Sequence, residues 1–170
     1  MKVTAILLCS FVLTSCSFYR EFKQEKVIRA EKVPAKVREA FLLRHPGVAG
    51  TFHEVESDEV ESYEVNYSNG DHENSETFSA SGVLLETEEE ITLFDIPSAD
   101  LERIRSFLVE EDKDSQTLKV QKVFSDKFSG YELKVKTIKS RTLLMEYFFK
   151  TDGSFHQKEE IELKPIQTLY

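Results

Sequence analysis

The sequence predicts an α+β protein built from two tandem repeats, each one helix packed on a four-stranded antiparallel sheet. Three observations predict it. Tyr63-Glu64-Val65, Phe78 with Gly82, and Glu89-Glu90-Ile91 return in the same order as Tyr131-Glu132-Leu133, Phe149 with Gly153, and Glu159-Glu160-Ile161, at offsets of 68, 71 and 70 residues. A near-constant offset over so long a span marks one structural unit built twice. Each copy opens on an apolar residue followed by proline, Val33-Pro34 and Ile96-Pro97, where proline suits the start of a helix. Beyond each helix the apolar residues alternate with polar ones, as in half-buried strands.

The elements follow in chain order. Residues 1–15 open on Lys2, run uncharged through Ala5 to Leu13, and end in Leu13-Thr14-Ser15 ahead of Cys16. The apolar run is too short to span a bilayer, and a basic start with small residues at its end is what a secretion channel and its peptidase read, so this is a signal peptide. Residues 16–32 mix charges without a sustained period and read as a tether, of which Val27-Ile28 could sit on a sheet edge. The first repeat, 33–92, has Val37, Ala40 and Phe41 at helical spacing, and His45-Pro46-Gly47 ends the helix. Strands are expected over 51–56 and 61–67, then one ending near Phe78, then 83–91. Tyr63, Val65 and Tyr67 share one face, and Asn69-Gly70 signals a type I′ hairpin whose two central residues take positive φ. The second repeat, 93–170, carries the stripe Leu101, Ile104, Phe107 and Leu108, followed by strands over 118–124, 131–138, 143–149 and 155–163.

Of the two cysteines, Cys9 leaves with the signal peptide and Cys16, the first residue after it, would be consumed by the lipid that its resemblance below implies, so no disulfide or thiolate site is expected and stability must come from burial. The four histidines, 45, 53, 72 and 156, lack zinc spacing, the acidic runs lack a calcium-loop pattern, and no serine sits in a nucleophile elbow. No metal, no cofactor and no catalytic residue is therefore expected, and the chain is not read as an enzyme. Charge is divided unevenly. Residues 33–92 hold 3 basic and 14 acidic residues, net −11, whereas 93–170 hold 13 and 14, net −1. Such acidity disfavours nucleic acid.

Leu13-Thr14-Ser15-Cys16 resembles the bacterial lipobox, which implies lipid on Cys16 and a membrane anchor in the cell envelope, with Ser17 compatible with the outer membrane. Behind it, the two copies with their apolar-Pro openings, Tyr-Glu-(Val/Leu) strands and Phe-x-x-x-Gly turns resemble the PepSY-like tandem-repeat lipoproteins, a group likened to the β-lactamase inhibitor protein. The resemblance covers residues 33–163 and implies an exported, non-enzymatic protein that binds a protein or peptide, as an inhibitor among other roles. It carries no functional residue across.

With one helix per sheet, each repeat is expected to leave one sheet face open. Alternation places Glu54, Glu56 and Glu64 on the open face of the first and Lys134 and Lys136 on that of the second, so these residues are the candidate interaction face. The alternative is a structural envelope lipoprotein with no specific ligand. Exposed aromatics such as Phe52 or Phe148 on the open faces would favour binding, and a uniformly charged surface would favour the scaffold.

Overall fold

The computed structural model describes residues 24–56, 61–138 and 142–161. Among these, the strands are β1 (Gln24–Ile28), β2 (Gly50–Glu56), β3 (Ser62–Asn69), β4 (His72–Ser79), β5 (Leu84–Glu90), β6 (Gln116–Ser125), β7 (Ser129–Ile138), β8 (Thr142–Lys150) and β9 (Phe155–Glu160). The helices are α1 (Ala35–Arg44) and α2 (Ser98–Glu111), each preceded by a short 3-10 turn, Ala30–Lys32 or Leu93–Asp95.

All nine strands form one antiparallel sheet in chain order. This corrects the expectation of two four-stranded sheets, each with its own helix. The joint lies between β5 and β6, where Glu86 pairs with Ser125 and Glu90 with Gln121. Backbone N–H and C=O groups on a free strand edge need partners, and this pairing satisfies two edges at once. The ninth strand, β1, comes from the segment read as a tether; Val27 pairs with His53 and Ile28 with Phe52.

Each helix begins immediately after its proline. Pro34 and Pro97 sit at φ −50° and −51° with extended ψ, and the residues before them, Val33 and Ile96, are buried. Proline's fixed φ and missing donor suit the residue that leads into a first turn. α1 ends where the His45 N–H donates to the Phe41 carbonyl at 2.8 Å, and Gly47 then takes φ +80°.

Both helices cover the same side of the sheet. The register sets Tyr67, Asn74, Glu89, Lys122, Tyr131 and Phe149 side by side across six strands, and directly opposed residues in an antiparallel pair share a face. Under α1, Val37 and Phe41 pack with Tyr63, Val65 and Phe78; under α2, Leu101, Ile104 and Leu108 pack with Tyr131, Leu133, Val135, Tyr147 and Phe149. Leu84 lies opposite Phe78 but Glu86 lies opposite Thr77, so one extra residue on β5 flips its alternation. That bulge turns Leu84 toward the core and Glu86, Glu88 and Glu90 toward the other side.

The hairpin between β3 and β4 is displaced from the sequence expectation. Asn69 pairs with His72, which makes Gly70 and Asp71 the central residues, and only Gly70, at +65°, takes positive φ. One positive-φ glycine at the first central position fits a type II′ geometry rather than type I′.

The core tyrosines carry a testable mark of their burial. Tyr63 is pushed up to about 12, first by the hydrogen bond its hydroxyl donates to the Glu61 carboxylate and then by burial. Burial also raises Tyr67, Tyr131 and Tyr147. The fold thus favours the neutral phenol, so this contribution to stability is present below the ordinary value of 10.0 and is lost as pH rises through about 12. In a phenolate absorbance titration of the folded protein, Tyr63 should ionise last of these four, and Tyr63→Phe should remove the highest step. Ordinary titration of all four would contradict the structure.

Candidate interaction surface

The face opposite the helices is assembled from alternate residues of each strand. One row reads Glu64, Thr77, Glu86 and Ser125; the next reads Asn66, Ser75, Glu88, Val123 and Gly130. A third joins Glu90, Gln121, Glu132, Phe148 and Gln157. The bulged fourth strand of the first repeat therefore delivers three glutamates to the middle of the surface, beside the strands of the second repeat.

Among the described residues no helix lies on this side, yet its centre is enclosed. Gln121 is 3% exposed and Glu132 4%, with Val123 and Phe148 also buried. Gln121 Nε2 donates to Glu88 Oε2 at 3.0 Å, which fixes the orientation of the amide. Its carbonyl Oε1 is buried and has no hydrogen-bond partner among the described residues. Such an acceptor costs about 1–3 kcal/mol relative to a satisfied one, so its position calls for an explanation. Lys134 lies nearby, with Nζ 3.3 Å from Glu146 Oε1 and 3.8 Å from Glu132 Oε1. Burial pulls this ammonium down, but the carboxylates of Glu132, Glu146 and Glu88 outweigh it and hold the group above its ordinary value. At one side, Lys119 Nζ is 3.5 Å from Glu73 Oε2, and the Glu73 N–H donates to Glu90 Oε2 at 2.7 Å.

The sequence-predicted residues are divided by this arrangement. Glu54 lies opposite Tyr63, on the helix side, whereas Glu64 lies opposite His53, on the helix-free side. Register explains the split: even-numbered residues of β2 oppose odd-numbered residues of β3, so Glu54 and Glu64 fall on opposite faces despite both being even. Glu56 has the parity of Glu54; its backbone pairs with Gln24, and its side chain is outside the described residues. Lys134 and Lys136 share the helix-free face with Glu132, because Leu133 and Val135 are buried under α2. Cys16 lies outside the described residues. Neither named aromatic is presented to solvent on this face, so the criterion of exposed aromatics, which would have favoured binding, is not met by these two residues. Phe52 is on the helix side, edge-on to Phe41 at 6.2 Å, and Phe148 is buried, edge-on to Phe128 at 5.8 Å.

Gln121 and Glu146 were not singled out from the sequence, and Glu88 only as part of the acidic run 86–90, which reads as a solvated strand edge. The one available signal was alternation along β6, which sets Gln121 on the same side as Val123, and it carries no hint of the glutamates that flank it. A second polar assembly lies on the helix side. Arg44 at the end of α1 donates to both carboxylate oxygens of Glu76, with Nη2 to Oε1 at 2.8 Å and Nε to Oε2 at 3.1 Å, and Glu76 is 2% exposed. The Tyr67 ring packs 4.3 Å from that of His45 beside it. This assembly fastens a helix end to the sheet.

No protein-family model matches the sequence, and no curated protein sequence matches it. Solved structures share its fold. A DUF2874 family protein from Bacteroides uniformis has a TM-score of 0.57 at 18% identity, covering 75% of this chain and 88% of that one. A BLIP-like protein from Bacteroides fragilis has a TM-score of 0.54 at 15% identity, covering 79% and 90%. A Bacteroides eggerthii protein described as periplasmic has a TM-score of 0.57 at 16% identity, covering 76% and 89%. Likeness at this level of identity is a likeness of fold, so the chain has the fold of these BLIP-like and DUF2874 proteins.

Proposed function

We propose that this chain is an exported protein of the bacterial cell envelope, anchored by lipid on Cys16, that binds a protein or peptide on the helix-free face of its sheet. The observation that carries the reading is the Gln121 carbonyl, an enclosed acceptor without a donor among the described residues, at the centre of a face flanked by carboxylates. A surface kept only for solubility has no use for such a group, since exposed charges alone supply solubility. The signal segment and the lipobox-like Leu13-Thr14-Ser15-Cys16 support the envelope address. So does the periplasmic description of the Bacteroides eggerthii neighbour. The resemblance to BLIP-like folds favours a macromolecular ligand over a small one, and inhibition is one form such binding takes.

The test compares two charge reversals in capture from envelope extract. Glu88→Lys alters the helix-free face, and Glu102→Lys alters the exposed outer side of α2. A bound species should be lost with Glu88→Lys and kept with Glu102→Lys. Equal retention by both variants would remove the face from consideration and leave the structural lipoprotein reading.

A further inference from the structure

We infer that a basic cleft at the β1 edge of the sheet docks on the anionic phospholipid headgroups of the leaflet that holds the lipid on Cys16. This rests on the lipid anchor proposed above and adds a second contact, which sets how the domain stands on the membrane. The register sets Lys26 on β1 opposite Glu54 on β2, and Glu54 opposite Tyr63 on β3. After β1 the chain passes Arg29 and makes the 3-10 turn Ala30–Lys32, which brings Arg29 and Lys32 to the same place as Lys26. The three basic residues, with Ile28, Glu54 and Tyr63, line a cleft of about 550 Å³. Lys26, Arg29 and Lys32 are all exposed, and the Tyr63 hydroxyl donates to Glu61. Glu31 is exposed on the same turn but does not line the cleft, so three cations there face one carboxylate.

Position in the chain argues for a bilayer as the occupant. Arg29 stands thirteen residues beyond Cys16, a length that covers at most about 45 Å when fully extended. A tether of that reach holds the cleft at a high effective concentration of headgroups. An anionic leaflet attracts nearby Lys and Arg, each of which favours contact about fivefold. The remainder of the fold selects the same orientation. Residues 33–92 are net −11, and β5, which sends Glu86, Glu88 and Glu90 to the helix-free face, lies four strands from β1. At the usual strand spacing that is about 19 Å, more than two Debye lengths of about 8 Å at physiological salt. Standing on its β1 edge, the sheet meets the leaflet through basic residues and keeps these acids clear. Lying on its helix-free face, it would press them against the headgroup phosphates. The edge-on stance also leaves that face open to a partner.

The experiment places the full lipidated protein in vesicles of phosphatidylcholine alone, or of equal parts phosphatidylcholine and phosphatidylglycerol. Acetylation by acetic anhydride, an uncharged amine reagent, is then followed site by site in mass spectrometry. Lys26 and Lys32 should react about fivefold or more slowly on the mixed vesicles. Lys150, exposed on β8 seven strands away, should react alike on both. The protection should fade as salt is raised, since screening weakens such a contact. Arg29→Glu should abolish it; Arg29 is exposed and its side chain caps nothing in the 3-10 turn. Equal rates on the two vesicles, or protection that survives Arg29→Glu, would overturn the docking surface. Equal protection from inorganic phosphate added to the phosphatidylcholine vesicles would make this a site for a small anion and overturn it as well. The wild-type comparison is decisive by itself if the variant fails to fold. Intact mass separates the two readings: an acylated chain without protection keeps the anchor and loses the surface, whereas a chain without acyl mass loses the anchor and this inference with it.

Discussion

Replacing Gly153 by alanine should destabilise the protein by about 3 kcal/mol, seen as a fall in melting temperature of about 6 to 12 °C for a chain of this size. Gly153 closes the turn between β8 and β9 at φ +76°, where an L side chain costs about 1–2 kcal/mol. Space is the larger obstacle. An added Cβ would lie 2.5 Å from the Asp100 carbonyl oxygen and 2.8 Å from its Cα, both backbone atoms of the first turn of α2. Such atoms yield only if the helix lifts from the sheet. Arg103 holds the same turn from the helix by donating to the Asp152 carbonyl. Gly82 repeats the device in the first half at φ +83°, with an added Cβ 2.7 Å from the Lys36 carbonyl oxygen of α1. Gly82→Ala should therefore cost about as much. Gly70 supplies the control, since it has φ +65° but nothing within 4 Å of an added Cβ. Gly70→Ala should cost about 1 kcal/mol, the backbone strain alone. Equal losses at Gly70 and Gly153, measured by denaturant unfolding, would show that contact with the helix contributes nothing.

The turn at this glycine was legible in the sequence because its cause is local, Phe78 and Phe149 each preceding by four residues a glycine that turns the chain, whereas its contact with the helix depends on distant packing and was not. The apolar-Pro openings and the alternation of Tyr63, Val65 and Tyr67 were legible for the same reason. The single sheet was not. It depends on Glu86–Glu90 pairing with residues 121–125, across the whole of α2, and a row of glutamates looks like a solvated edge until a neighbour is known. Nor could alternation within strands decide which acids share a face across strands. That requires the register between β2 and β3, and a one-residue change of register would have put Glu54 and Glu64 together. The bulge at Leu85 had a comparable effect on β5. The charge of the first half was therefore readable, while its convergence on Gln121, a residue of the second half, was not.

Arg44→Met should cost about 2–3 kcal/mol, chiefly through the partner it deserts. The Arg44 side chain is 45% exposed and loses little by its own removal, but that of Glu76 is only 3% exposed and would keep a buried carboxylate without its bidentate donor. His45 Nε2 also lies 3.0 Å from Glu76 Oε1, but one ring nitrogen at one oxygen does not replace the two-pronged guanidinium. Removing the charge as well should recover most of the loss, so Arg44→Met with Glu76→Gln should be less destabilised than the sum of the two single changes. The second half of the molecule shows an apolar solution at the corresponding place. There Phe107 stands where Arg44 does, counted from the helix prolines, and Tyr147 stands where Glu76 does, opposite Leu133 as Glu76 is opposite Val65. These two rings meet edge-on at 6.2 Å. Buried ion pairs can often be exchanged for well-packed apolar groups without loss. Arg44→Phe with Glu76→Tyr should accordingly lie within about 1 kcal/mol of the starting protein, even though Arg44→Phe alone strands the carboxylate. Denaturant midpoints for the two cycles decide the matter. Strictly additive losses would mean that Arg44 and Glu76 are not coupled, and that α1 is held by Val37 and Phe41 alone.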